Sequence, residues 1–239
     1  MVLVEGKVPW ILTSRRLLPE KGDLGQSAMN LLGITFQELR NWGGLHLKLL
    51  EIGVGRGLTL QDLKCYGCQI FGIEPTLQVD SKGELKSEYK SRKISDLVYP
   101  LMVEDLTEHF NEGTFDIALA VGPNFQNYSS AAPELIARIV TVLKIIKIGG
   151  FLTFETQRLT RFGEGISMTK GWLQPPHSFF NLNKFLTYTG IKFEVKERLV
   201  PTTESAVIRI FKDKNAIRSL NTSLSEIIIN NYSYQIDSK

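Results

Sequence analysis

The stretch Leu49-Leu50-Glu51-Ile52-Gly53-Val54-Gly55-Arg56-Gly57 is an apolar run that ends in a carboxylate and opens into a loop with glycine at every second position. The run is short and apolar, as in a buried strand of an α/β sheet. Glycines after such a strand let the chain turn with positive φ and let a ligand approach bare backbone without meeting a Cβ. The chemistry this suits is the holding of a nucleotide-like molecule. A triphosphate loop would end in Gly-Lys-Ser/Thr, whereas Leu58 and Thr59 follow Gly57. A dinucleotide loop would place its third glycine, or an alanine, at position 58, where Leu58 stands. A second carboxylate follows at the end of another apolar run, Gln69-Ile70-Phe71-Gly72-Ile73-Glu74-Pro75. A strand-end carboxylate can accept both hydroxyls of a ribose, and it can equally serve a solvated turn.

Glu51-Ile52-Gly53-Val54-Gly55-Arg56-Gly57 resembles motif I of the class I S-adenosylmethionine-dependent methyltransferases, an acidic residue, any residue, then Gly-x-Gly-x-Gly. The resemblance implies that Glu51, Ile52, Gly53 and Gly55 hold S-adenosylmethionine, and that Glu74 with Pro75 takes its ribose. It further implies that Asp105 accepts from the adenine amino group while the Leu106 N–H meets the ring, with Val121 and Gly122 closing the site at the end of strand four. Glu104 competes with Asp105 for the adenine role, and Asp105 can instead cap its own turn.

Family members share the cofactor site but no catalytic residue, because a sulfonium methyl is already activated and the main task is to hold a nucleophile in line with it. The acceptor is expected beyond the carboxyl ends of strands four and five. Gly122-Pro123-Asn124-Phe125 has one proline and a displaced Asn. It thereby departs from the Asn/Asp/Ser-Pro-Pro-aromatic box of adenine- and glutamine-directed N-methyltransferases. The loop Trp172-Leu173-Gln174-Pro175-Pro176-His177-Ser178-Phe179-Phe180 resembles a segment of many small-molecule methyltransferases, although Ile191 replaces the usual Phe. Phe125, Tyr128 and Trp172 are therefore candidate acceptor contacts. His177 is a candidate general base with a pKa suited to neutral pH, or else a capping and packing residue. The expectation is methyl transfer to a small molecule. A protein- or RNA-directed enzyme is the alternative, if Arg15, Arg16, Arg158 and Arg161 converge into a basic channel. A non-catalytic protein of the same fold is a third.

The elements that must position these residues alternate. After the first strand the sequence predicts helices over 58–66 and 78–92, a third strand over 99–103 and a fourth over 115–121. A helix over 131–146 leads through Gly149-Gly150 into a fifth strand over 151–155. A helix over 181–189 then precedes two strands, 192–198 and 204–211, separated by about five residues. Alternation implies parallel strands with right-handed crossovers, whereas the last two are too close in sequence for a crossover and must pair antiparallel. The expected fold is α/β: a Rossmann-like, seven-stranded, mostly parallel sheet with helices on both faces and a C-terminal antiparallel hairpin. Residues 1–46 are expected to form a helical cap over the cofactor site, 47–212 the methyltransferase core, and 213–239 a polar tail.

With 239 residues, 43% of them hydrophobic, the chain can bury one substantial core. A net charge of +3 without a Lys/Arg-rich run argues against nucleic acid as a partner. There is no leader-like N-terminus and no apolar stretch of about 20 residues, so no membrane partner is expected and the reading is cytoplasmic. Cys65 and Cys68 form a lone C-x-x-C, and with only three scattered histidines a four-ligand zinc site is not expected; buried free thiols are. Neither the methyl acceptor nor the oligomeric state is written in the sequence.

Overall fold

The computed structural model describes residues 39, 41, 46–65, 68–120, 132–157, 182–200 and 203–236. In chain order the elements are β1 (Lys48–Ile52), α1 (Leu58–Cys65), β2 (Gln69–Ile73), α2 (Glu84–Ser91), β3 (Val98–Tyr99), α3 (Leu106–His109) and β4 (Phe115–Ala120). They continue with α4 (Ala132–Ile145), β5 (Ile146–Gln157), α5 (Leu182–Thr189), β6 (Phe193–Val200), β7 (Thr203–Phe211) and α6 (Ala216–Ile236). The seven strands form one sheet in the order β3-β2-β1-β4-β5-β7-β6. Neighbours from β3 to β5 are parallel, and β7 runs antiparallel to both β5 and β6. This is the sheet expected from the sequence, including the terminal hairpin.

Side chains alternate across the strands, and both faces are covered. Leu50, Ile52, Ala118, Ala120, Leu152, Phe154, Ile208 and Ile210 share one core with Leu135, Ile139 and Leu143 of α4, Phe185 of α5 and Leu220 of α6. Leu49, Ile70, Ile117, Leu119, Phe151 and Val207 share the other with Leu60 and Leu63 of α1, Tyr89 of α2 and Leu39. Two-sided burial is why the strands read as apolar runs instead of alternating patterns.

Several element bounds differ from the sequence expectation, each for a local reason. The third strand stops at Tyr99, because Pro100 has no N–H with which to continue a ladder. The helix expected from 78 is divided. A short 3-10 turn covers Pro75–Val79, and α2 starts only after Gly83 at φ 67°, where the Asp80 carboxylate accepts from the N–H groups of Glu84 and Lys86. The fifth strand begins five residues early, directly after α4. Lys212 makes that junction possible, since its ammonium donates to the carbonyls of Lys144 and Ile146 at 3.0 and 2.6 Å and so occupies acceptors that the helix end leaves open. Gly149-Gly150 thus lies inside β5. The register there passes from Phe115↔Ile146 to Ile117↔Phe151, a bulge with Gly149 at φ 88°.

Residues 213–236, expected to be a polar tail, are mostly the long helix α6. The Asp213 carboxylate accepts from the N–H groups of Asn215 and Ala216 at 2.7 and 2.8 Å, which starts the helix, and Ala216, Leu220 and Ser223 are buried. Ala216, Leu220 and the partly buried Leu224, at four-residue spacing, dock the helix on the core.

Candidate functional site

The carboxyl end of β1 runs into the glycine loop, and the loop is tied to the end of β2: Gly53 N–H and Val54 N–H both donate to the Ile73 carbonyl, at 2.9 and 3.2 Å. Gly53, Gly55 and Gly57 have φ of 72°, 55° and 77°, a left-handed region that L side chains rarely enter. The glycines do different things. At Gly55 a Cβ would meet no heavy atom within 4 Å, so the chain leaves open space there. At Gly57 a Cβ would stand 2.4 Å from Ile94 Cδ1 and 3.3 Å from Tyr89 Cε1, so this glycine admits α2 and the segment after it against the loop.

Two carboxylates flank the loop. Glu51, next to the last residue of β1, is only 2% exposed and Glu74, just beyond β2, only 6%. Glu74 Oε2 accepts from the Gly55 N–H at 2.8 Å, while its Oε1 accepts from Thr76 N–H at 3.1 Å and Thr76 Oγ1 at 2.5 Å. From the opposite side the Tyr89 hydroxyl donates to the Gly55 carbonyl at 2.6 Å. Burial pushes the Tyr89 phenol well above its ordinary pKa, and the carboxylates of Glu74, Glu51 and Glu88 add to the effect. The phenol is therefore a proton donor at any pH a cell offers.

Asp105 ends a 3-10 turn over Val103–Asp105, and its Oδ2 accepts from the Met102 N–H at 3.2 Å. The turn-capping role is thus present, and the second oxygen is left over from that bond. Glu104, the competing candidate, is directed elsewhere, into an ion pair with Arg138 of α4 at 2.6 Å. Leu106 is fully buried, and Ile52 and Pro75 bracket the loop at the ends of β1 and β2. Val121, Gly122, Phe125, Tyr128, Trp172 and His177 lie outside the described residues, so every candidate on the acceptor side does. The structure adds Tyr89 and Thr76, which the sequence analysis missed. Tyr89 is the one aromatic residue of α2, otherwise charged or polar apart from Leu85.

Cys68 is buried and free, and burial pushes its thiol pKa up, which keeps it protonated and unreactive. Among the described residues no group of three His, Cys, Asp or Glu side chains could hold a metal ion, and no helix is long and apolar enough to cross a membrane. At the amino ends of the strands, opposite the glycine loop, lies a cleft of about 580 Å³. Its charges answer one another: Lys147 with Asp116 at 2.7 Å, Arg209 with Glu194 at 3.5 Å, and Lys192 over the Phe211 ring at 4.5 Å.

No protein-family model matches the chain, and no curated protein is significantly similar to it in sequence. Solved structures do share its fold. The O-methyltransferase TomG of Streptomyces achromogenes, involved in tomaymycin synthesis and solved with S-adenosylmethionine, is 12% identical. It aligns over 85% of this chain and 87% of its own with a TM-score of 0.51. The 1,6-didemethyltoxoflavin N1-methyltransferase of Burkholderia thailandensis, solved with bound 1,6-didemethyltoxoflavin and S-adenosylhomocysteine, is 14% identical over 79% of this chain and 80% of its own, with a TM-score of 0.50. The [4+2]-cyclase SpnF is 16% identical over 74% and 79%, with a TM-score of 0.52. At such identities the likeness concerns the fold, and the cyclase among them shows that one fold carries more than one reaction. With its strand order, its antiparallel β7 and its glycine loop at the end of β1, this chain has the Rossmann-like fold of the class I S-adenosylmethionine-dependent methyltransferases.

Proposed function

We propose that the protein binds S-adenosylmethionine and transfers its methyl group to a small-molecule acceptor. The observation that carries the cofactor reading is the pairing of an open, positive-φ glycine loop with two buried carboxylates, Glu51 and Glu74. S-adenosylmethionine brings a sulfonium and an ammonium against one carboxylate, so an acidic pocket complements it. A dinucleotide would bring a diphosphate to the glycine loop, where the buried Glu51 carboxylate opposes it, whereas a ribose-binding Glu74 is common to both ligands. The residues present therefore fit the cofactor: the open backbone at Gly55, with Gly53 beside it, would admit it, Glu74 and Pro75 would hold its ribose, and Asp105 and Leu106 its adenine. Glu74 already accepts three hydrogen bonds from the chain, which leaves one of the about four lone-pair positions of a carboxylate for a ribose hydroxyl.

When bound, the cofactor supplies an electrophilic methyl group. The chain's part is to orient it and to hold the acceptor in line, a contribution of about 7–11 kcal/mol for well-placed reactants. Val121 and Gly122 are proposed to complete the cofactor site, and Phe125, Tyr128 and Trp172 to line the acceptor side, with His177 as base where the acceptor is a hydroxyl. The mild net charge of +3 supports a small acceptor over a nucleic acid.

Calorimetry tests the cofactor reading. S-adenosylmethionine and S-adenosylhomocysteine should bind and NAD should not. Glu74→Ala should weaken binding by about 1.5–3 kcal/mol, the worth of a hydrogen bond to a charged group. Unchanged affinity in that variant would remove Glu74 from the site.

A further inference from the structure

We propose that Tyr89 is a positioning residue for the cofactor loop, a strut from α2 that fixes the Gly55–Arg56 peptide in the orientation the ligand meets. The inference rests on the cofactor reading above and extends it to a residue that no motif marks.

Gly55 is gripped at both of its backbone polar groups. Its N–H donates to Glu74 Oε2 at 2.8 Å, and its carbonyl accepts from the Tyr89 hydroxyl at 2.6 Å. A trans peptide directs its N–H opposite to its carbonyl, so holding the Gly55 carbonyl towards α2 holds the Arg56 N–H away from it. A Cβ on Gly55 would meet nothing within 4 Å, so no side chain packs there; the Gly57 N–H bond to the Val54 carbonyl at 3.0 Å closes the turn around the Gly55–Arg56 peptide, and the Tyr89 hydroxyl holds the carbonyl at its centre. Without the strut, a glycine at φ 55° would have several backbone conformations to choose among, and a ligand would have to select one. The strut is itself built in. Tyr89 is only 2% exposed, its ring lies against Gly57 where a Cβ would crowd it, and the Tyr89 carbonyl accepts from the Ile94 N–H at 2.9 Å as the chain leaves α2. Carboxylates of Glu74, Glu51 and Glu88 around a phenol held neutral keep the hydroxyl proton in place to be donated.

The experiment compares S-adenosylhomocysteine affinity, by calorimetry, in the wild type, Tyr89→Phe and Tyr188→Phe. Tyr89→Phe keeps the ring and removes the hydroxyl. Tyr188→Phe removes an exposed hydroxyl whose 3.0 Å bond goes to Glu226, on α6. The expected result is a dissociation constant raised roughly 3- to 10-fold in Tyr89→Phe, the worth of one neutral hydrogen bond, and unchanged in Tyr188→Phe. A Tyr89→Phe protein of lowered melting temperature but wild-type affinity would make the residue merely structural and overturn the proposal. If the wild type itself does not bind S-adenosylhomocysteine, the cofactor reading falls and the inference with it, a failure distinct from the first. Should Tyr89→Phe not fold, amide exchange of the wild type decides: the ligand should protect residues 53–57 and α2 together. Protection of the loop alone would overturn the strut.

Discussion

Gly55 shows how much of a ligand site is made of contacts that no side-chain pattern advertises. The glycine spacing and the acids at the ends of β1 and β2 were legible because each is a residue type at a strand end. The bonds that hold them were not: Tyr89 is a single aromatic on a charged helix, and the bond from Met102 N–H to Asp105 exists only once the intervening turn has formed. Tyr89 also leaves a signature in pH. Its phenol pKa is raised above the unfolded value of 10.0, so the folded state keeps a proton that the unfolded chain gives up. The resulting stability is whole below that value and is lost as the pH rises above it. The unfolding free energy should therefore fall more steeply as the pH rises from about 10 to about 12 in the wild type than in Tyr89→Phe, as measured by urea titration. On the acceptor side, His177→Ala should lower turnover by about 10²–10⁴ for a hydroxyl acceptor while leaving cofactor affinity alone, the general-base contribution. Loss of both together would mark His177 as a packing residue instead.

Among the elements, β5 departs most from expectation, and its two glycines separate two costs that sequence alone merges. Gly149 sits at φ 88° with nothing within 4 Å of a built Cβ, so Gly149→Ala meets only backbone strain, about 1–2 kcal/mol. Gly150 has no such strain, but a Cβ there would stand 2.2 Å from the Asp116 carbonyl oxygen, and backbone does not yield as a side-chain tip does. Denaturant unfolding should therefore find Gly150→Ala the more destabilising of the two. The reverse order would show that β4 can slide to accommodate it. Gly-Gly after an apolar helix reads as a loop in sequence because loops are where glycine pairs are commonest. That Lys212, more than 60 residues away in the chain, caps the helix and abolishes the loop could not be read locally.

At the scale of the molecule, the two covered faces divide the labour. Tyr89 and the loop it supports belong to the face carrying α1 and α2, whereas α4, α5 and α6 cover the other. Leu220→Ala, a truncation in the second core, should cost about 2–5 kcal/mol in unfolding free energy yet leave S-adenosylhomocysteine affinity at the wild-type value. A parallel loss of affinity would mean that the faces are coupled through the sheet. The sheet order was legible because the chain's alternation and the short β6–β7 connection admit few arrangements, while the docking of α6 depended on a handful of apolar residues in a polar segment. The same strand order also governs time. Within the hairpin, Val200 pairs with Thr203, and β1 pairs with β2 between Leu50 and Phe71, but β1 meets its other neighbour only when Leu49 finds Ile117. Local pairs close at small entropic cost, whereas the β1–β4 pair must close a loop of 68 residues (117 minus 49) before any of its contacts is rewarded. The seam between β1 and β4, where the strand order reverses and the proposed ligand would lie, is thus the pairing of longest sequence separation in the sheet, and we expect it to close late. A ligand bridging that seam would act on the finished fold by slowing its opening, and its benefit would be read in the unfolding rate more than in the rate of folding.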